Sequence, residues 1–194
     1  ACASEPGSDD RIRASGPDPT LYITDVNPVF ERRCATLDCH GIEGRSTVPD
    51  TPSLAGQPKQ FITTQLVMFR EGNRKNAIMN PIAAPLSNAE ISELGSYFSA
   101  QPAEPAGKPL AAGAAKAARG LAERLGCVTC HGAELKGQQH IPRLAGQHAD
   151  YLRTQLLGFK AGSRFDMDGN MTAAAQALAP ADIEALATYL SSLR

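Results

Sequence analysis

The sequence contains no tryptophan and no apolar run of the length that a membrane-spanning helix requires. Its charges nearly cancel, with 19 Lys and Arg against 20 Asp and Glu, so its composition gives no reason to expect nucleic-acid binding. Cysteine is scarce, with 5 residues among 194. These absences exclude a membrane span within the sequence and a strongly basic surface. They leave the few cysteines as the most informative residues.

Two of the cysteines lie in the segment CVTCH, residues 127–131. The C-x-x-C-H spacing is typical of covalent attachment of a c-type haem, because two thiols add to the vinyl groups of the porphyrin and the next histidine can ligate the iron. The alternatives are a redox dithiol and half of a zinc site. A zinc site needs a second Cys/His pair of similar spacing. We therefore predict thioether bonds from Cys127 and Cys130, and iron ligation by His131.

The chain consists of two copies of one unit. Residues 54–74, LAGQPKQFITTQLVMFREGNR, align without gaps with residues 144–164, LAGQHADYLRTQLLGFKAGSR. The segments that begin at Met79 and Met171 also align, and each ends in a helix-like apolar pattern. We therefore predict two tandem domains of the same fold.

The segment CATLDCH, residues 34–40, occupies the place in the first unit that CVTCH occupies in the second. Its extra residues lie between the two thiols, where a loop can bulge without moving the histidine. We interpret Cys34, Cys39 and His40 as a second haem-attachment site. A disulfide between Cys34 and Cys39 is the alternative, although it leaves His40 without a role.

A second axial ligand is predicted from the repeat. Met79 and Met171 are the methionines that coincide in the alignment, and each is expected in a loop before the last helix of its unit. Methionine on the distal side raises the reduction potential and suits electron transfer, whereas an open site suits oxygen or peroxide chemistry. Met167 is the alternative to Met171.

Four further polar residues are candidates for lesser roles. Arg74 and Arg164 form a matched pair and are candidate contacts of the haem propionates, because arginine suits planar carboxylates. His140 and His148 have no histidine at the matching positions, and we expect them to be solvated loop or helix-start residues.

Apolar residues recur every three or four positions near the end of each unit, which indicates a helix with one buried face. They are Ile91, Leu94 and Phe98, and their counterparts Ile183, Leu186 and Leu190. Helices are also predicted over 59–70, 149–160 and 114–126. Helix starts are predicted at Asn27 and Pro28, at the capping box of Ser87 and Glu90, and at Pro180 and Asp182. Since no period-two pattern indicates a sheet, the predicted fold class is all-α.

The predicted domain boundaries follow from composition. A polar, irregular arm is expected over 1–19 and the first domain over 20–100. A Pro/Ala/Gly-rich linker over 101–112 then leads into the second domain, over 113–194.

These motifs together resemble the dihaem cytochrome c4 family over residues 24–194. The resemblance rests on the two attachment segments, on the LAGQ stretches and on the segment PIAAPLS after Met79. It implies two class I cytochrome c domains related by an approximate two-fold, haems that face each other, and one-electron transfer in the periplasm. The implied first site has thioethers from Cys34 and Cys39 with His40 and Met79 as axial ligands; the implied second has Cys127, Cys130, His131 and Met171. The C-x4-C spacing of the first site departs from the family pattern.

The expected partners are redox proteins, an electron donor and a terminal oxidase or other acceptor. The part of the chain up to residue 105 is more acidic than basic, whereas residues 106–194 carry ten basic and seven acidic groups, an asymmetry that can orient such encounters. The odd cysteine, Cys2, is a candidate lipid-bearing residue that would tether the protein to a membrane. The alternatives to a free carrier are a haem enzyme, namely a dihaem peroxidase or a thiosulfate-oxidising cytochrome, and a redox subunit of a membrane-bound dehydrogenase.

Overall fold

The computed structural model describes residues 37–194, and this part of the chain is helical. Its only β-type pairing is an isolated bridge between Gln138 and Ile141, so no strand interrupts the helices of residues 37–194. None of the helices described is long and apolar enough to cross a membrane. The α-helices are α1 (Leu37–His40), α2 (Lys59–Arg70), α3 (Met79–Ala83), α4 (Asn88–Ala100), α5 (Ala112–Arg124), α6 (Cys127–His131), α7 (Ala149–Lys160), α8 (Asn170–Gln176) and α9 (Pro180–Ser191).

Each unit has its own hydrophobic core. In the first unit α2 packs against α3 and α4, and in the second α7 packs against α8 and α9 while α9 also packs against α5. The apolar residues predicted to share one face of the last helix are all buried. The first core contains Ile62, Phe69, Ala83, Leu86, Ile91, Leu94 and Phe98, and the second includes Leu152, Leu178, Ile183, Leu186 and Leu190. Burial of this one face is what holds each unit together.

The predicted helix boundaries are largely confirmed. Helices α2 and α7 have the bounds expected from the sequence. At the start of α4, Ser87 and Glu90 form the predicted capping box, with Glu90 accepting from the Ser87 N–H at 2.7 Å. Helix α5 begins two residues before the predicted position and ends ahead of Gly126, which has a φ of 75°. The helix start expected at Asn27 and Pro28 lies outside the described residues, as does the 1–19 arm.

The segment between the units, residues 101–111, contains no helix and is fixed to the second unit by its backbone. The Ala106 N–H donates to the Gly146 carbonyl at 3.0 Å, and the Gly107 N–H donates to the Ser191 carbonyl at 2.8 Å. The proline- and glycine-rich linker is therefore held against the second unit by backbone hydrogen bonds.

The two units contact each other through reciprocal hydrogen bonds. The Gln57 side chain of the first unit bonds to the backbone of Arg143 in the second. Its repeat counterpart, Gln147, bonds in the same way to the backbone of Ser53 in the first. Equivalent residues thus exchange equivalent bonds, which is the geometry of an approximate two-fold axis between tandem copies.

Gly146→Ala is expected to lower the free energy of unfolding by about 1–3 kcal/mol. Gly146 has a φ of 79°, and a Cβ there would lie 2.9 Å from the Glu104 carbonyl oxygen of the connecting segment. Denaturant unfolding of the haem-loaded protein measures the loss. Gly120→Ala is the matched control: Gly120 lies within α5, where a Cβ would make only an ordinary 3.6 Å contact with the Arg124 side chain, so this change should instead stabilise by about 0.5–1 kcal/mol. Equal effects of the two substitutions would contradict the close packing of Gly146 against the connecting segment.

Candidate haem sites

The segment CVTCH folds as a single helical turn, α6. The turn begins after Gly126 and ends before Gly132, both of which have positive φ. Cys130 is exposed, Cys127 is half-buried and His131 is 4% exposed. Cys127 and Cys130 are not joined in a disulfide. Burial raises the pKa of the Cys127 thiol, so the unmodified thiol is protonated at neutral pH. Both thiols and the imidazole therefore project from one short element, as attachment to a single porphyrin requires.

His131 is held in one tautomer. Its Nδ1 lies 2.8 Å from the Pro142 carbonyl oxygen, and since a carbonyl only accepts, Nδ1 carries the hydrogen. Burial also lowers the pKa of His131, which favours the neutral ring that binds metals. The lone pair is therefore on Nε2, where an iron atom would be ligated.

The first unit repeats this arrangement at His40. Its Nδ1 lies 2.9 Å from the Pro52 carbonyl oxygen, and burial lowers the pKa of His40. Cys39 is 6% exposed, and Gly41, with a φ of 73°, ends the turn as Gly132 does in the second unit. His40 thus keeps the hydrogen bond and the following glycine seen at His131, although Cys39 is buried where its counterpart Cys130 is exposed. Cys34 lies outside the described residues.

The two aligned methionines occupy equivalent positions, but these are short helices, where the sequence had predicted loops. Met79 is the first residue of α3 and Met171 the second residue of α8. The Met79 N–H donates to the side chain of Asn76 at 2.8 Å, and the Met171 N–H donates to Asp166 at 2.7 Å. A side-chain acceptor ahead of each helix satisfies N–H groups that have no partner within it. A short helix was not expected because five to seven residues carry too little periodicity.

Met167, the alternative ligand, lies in a different environment. Its side chain is 73% exposed, whereas Met171 is half-buried at the start of α8. Of the two, only Met171 has its backbone fixed by the Asp166 carboxylate. The geometry of the second unit therefore favours Met171 for a role that requires a fixed side chain.

The arginine pair lies at the contact between the units. Each guanidinium stacks on a phenylalanine of its own middle helix and bonds to a glutamine of that helix. The partners are Phe69, at 4.6 Å from the Arg74 guanidinium carbon, and Gln65; for Arg164 they are Phe159, at 4.4 Å, and Gln155. Arg74 also reaches the second unit, where it donates to the Tyr151 hydroxyl at 3.2 Å and to Gln155 at 3.1 Å.

This cluster has unused donor capacity that suits a carboxylate. The Arg164 Nε atom is buried without a hydrogen-bond partner. Burial, together with the charge of Arg74, lowers the pKa of Arg164 to about 10. Neither arginine forms an ion pair with an acidic side chain of residues 37–194. Two guanidiniums held together with an unpaired buried N–H fit the carboxylates that a haem carries as propionates.

Sequence reasoning missed the residues that join the units. His148 lies at the start of α7, which is one of the two settings expected for it, and its Nε2 also lies 2.8 Å from the Ser46 carbonyl oxygen of the other unit. His140 is exposed, as expected. Gln57 and Gln147 were aligned but given no role. The signal was available, because the pattern P-x-L-A-G-Q occurs in both units, at 52–57 and 142–147.

Comparisons with known proteins agree with this architecture. The family described as Cytochrome c matches residues 114–194. A cytochrome c4 from Thiocapsa roseopersicina is 37% identical over 81% of this chain and 86% of the relative. A thiosulfate dehydrogenase electron acceptor from Thiomonas intermedia is 37% identical over 80% of this chain and 77% of the relative.

A crystal structure of reduced recombinant cytochrome c4 from Pseudomonas stutzeri superposes with a TM-score of 0.76 at 30% identity, covering 88% of this chain and 99% of that one. The likeness thus extends over both units, in sequence and in fold. It agrees with two tandem helical units of one fold. The chain belongs to the cytochrome c4 family and is an electron-transport cytochrome with covalently bound haem c.

Proposed function

We propose that this protein carries two haems and passes single electrons in the periplasm, from a respiratory donor to a terminal oxidase or another acceptor. The observation that carries this proposal is the duplication of the proximal geometry, in which His40 and His131 each present Nε2 while Nδ1 is held by a proline carbonyl. Two sites built alike within one chain suit a relay better than a single catalytic centre.

The proposed ligand sets follow the repeat. Cys34 and Cys39 would bind the first haem covalently, and His40 and Met79 would ligate its iron. Cys127 and Cys130 would bind the second haem, and His131 and Met171 would ligate its iron. Bound haem supplies a one-electron iron couple. The chain itself orients the two histidines through the Pro52 and Pro142 carbonyls, and Arg74 and Arg164 would neutralise the propionates.

A carrier is favoured over a haem enzyme by the distal residues. A peroxidase needs an iron with an open or displaceable ligand, whereas both proposed distal positions hold an aligned methionine. A thiosulfate-oxidising centre with a distal cysteine lacks a donor within residues 37–194, where all three cysteines lie in attachment segments. The proposal therefore includes no bond-making chemistry.

The proposed partners are redox proteins. A relative named as a thiosulfate dehydrogenase electron acceptor makes a thiosulfate-oxidising dehydrogenase one donor to test. Attachment to a membrane through a lipid on Cys2 belongs to the same proposal; Cys2 lies outside the described residues.

Stopped-flow mixing tests the function directly. The oxidised holoprotein should be reduced by such a dehydrogenase in the presence of thiosulfate, and the reduced form should be reoxidised by a cytochrome c oxidase, with both haems taking part. The isolated reduced protein should not bind carbon monoxide, because each iron would be held by both a histidine and a methionine. Rapid carbon monoxide binding, or thiosulfate turnover without a dehydrogenase, would contradict the carrier function and support a haem enzyme.

A further inference from the structure

Two buried glutamines connect each unit to the segment that orients the proximal histidine of the other unit. The Ser53 N–H donates to Gln147 Oε1 at 2.8 Å, and Gln147 Nε2 donates back to the Ser53 carbonyl at 2.8 Å. The Arg143 N–H donates to Gln57 Oε1 at 3.0 Å, and Gln57 Nε2 donates to the Arg143 carbonyl at 2.9 Å. Gln57 is 4% exposed and Gln147 is 5% exposed, so water competes little for these bonds.

The bonded backbone groups belong to the peptides that hold the histidines. The Ser53 N–H and the Pro52 carbonyl are two ends of one peptide group, and that carbonyl accepts from His40 Nδ1 at 2.9 Å. A continuous chain of hydrogen bonds therefore runs from Gln147 in the second unit to His40 in the first.

The opposite connection is built alike. The Arg143 N–H shares its peptide group with the Pro142 carbonyl, which accepts from His131 Nδ1 at 2.8 Å. Gln57 in the first unit is thus two hydrogen bonds away from His131 in the second. Because the units are repeats, each glutamine bonds to the peptide group that holds the histidine of the other unit.

Hydrogen bonds in such a chain strengthen one another. When the N–H of a peptide donates to a buried amide oxygen, its carbonyl becomes more negative and a better acceptor. A better acceptor at Nδ1 makes the imidazole more basic at Nε2, as outer partners of metal-bound histidines commonly do. A more basic ligand stabilises the oxidised iron over the reduced one, so it lowers the affinity of that site for an electron.

We propose that Gln147 and Gln57 are positioning residues, each of which polarises the proximal histidine of the opposite unit and sets the electron affinity of the haem bound there. This inference rests on the proposed function, since it needs a haem in each unit. It makes the contact between the units part of how the two potentials are adjusted, in addition to its role in holding the units together.

The test replaces each glutamine by methionine, which has similar length and no amide, in the full haem-loaded protein. The readout is a redox titration followed by proton NMR, which separates the two haems. Gln147→Met should raise the electron-binding constant of the first-unit haem about threefold, which corresponds to roughly 28 mV for a one-electron couple. The second-unit haem should change less. Gln57→Met should give the reverse pattern, so each variant is the control for the other.

A different result is expected if the glutamines only hold the units together. Loosening the contact would shift both haems together in either variant, or neither, and either of those outcomes overturns the proposal. Gln147→Asn, which keeps the amide but is too short to reach Ser53, should act like Gln147→Met and is used if the methionine variant fails to accumulate. In the reduced, diamagnetic protein the Ser53 amide proton should also exchange faster with solvent in the Gln147 variants, and unchanged exchange would contradict the proposed bond.

The failure of this inference can be separated from the failure of the proposed function by counting haems first. If two haems are present but neither variant changes the potential of the haem in the opposite unit, the proposed carrier function stands and the role of the glutamines fails. If only the second unit holds haem, the two-haem proposal fails, while Gln57→Met still tests whether a glutamine acts on His131 from the other unit.

Discussion

Met171→Ala is expected to lower the reduction potential of the second-unit haem by on the order of a few tenths of a volt, because a thioether ligand favours reduced iron and its loss admits water or another oxygen or nitrogen donor. The reason for choosing Met171 is its fixed position at the start of α8, with its N–H held by Asp166 at 2.7 Å. Spectroelectrochemical titration measures the change. The absorption band that arises from methionine ligation of oxidised iron should weaken by about one half, since a second ligated iron remains.

The matched control for this variant is Met167→Ala. Met167 is the alternative donor, lies just before α8 and is 73% exposed, so its removal should leave both potentials and the ligation band nearly unchanged. If Met167→Ala lowers the potential and Met171→Ala does not, the ligand is Met167 and its assignment from the repeat alignment is wrong. If neither variant changes the potential, methionine is not the sixth ligand of this iron.

The second large effect concerns the number of haems. Protein matured with haem-attachment machinery should have a denatured mass equal to the chain plus two haems, because His40 of CATLDCH is held by a proline carbonyl in the same way as His131 of CVTCH. Replacing Cys34 and Cys39 together by serine should remove one covalent haem. Replacing Cys127 and Cys130 together should remove the other, and intact mass spectrometry reads both changes.

The paired variants make the result decisive. A parent mass with one haem, unchanged when Cys34 and Cys39 are replaced, would show that the wider spacing prevents attachment and would reduce the protein to a single-haem carrier. A single thioether in the first unit would appear as a haem that survives replacement of one of these cysteines but not of both. The second-unit pair is the internal control, since C-x-x-C-H is the usual attachment spacing.

The sequence could predict those features that depend on local pattern. Helices α2 and α7 were predicted with their observed bounds, and the capping box at Ser87 was predicted and is present. These follow from residues a few positions apart, whose interactions are nearly the same in any fold that contains the helix. The repeat added a further constraint, since equivalent residues of two copies fold alike.

The short helices at Met79 and Met171 could not be predicted in the same way. Each depends on a side-chain acceptor several residues earlier, Asn76 or Asp166, and on packing against α2 or α7. Elements of this length are stabilised by their surroundings more than by their own sequence, so local pattern alone does not reveal them.

By itself the sequence determined the two-unit organisation, the helical class and the residues proposed to hold haem, because covalent attachment and iron ligation require particular side chains at particular spacings. The tertiary structure alone decided which groups meet across the units: Arg74 at Tyr151, His148 at Ser46, and each LAGQ glutamine at the peptide next to the other unit's proline. Those partners are far apart in the chain and are brought together only by the packing of two folded surfaces, for which no local spacing codes.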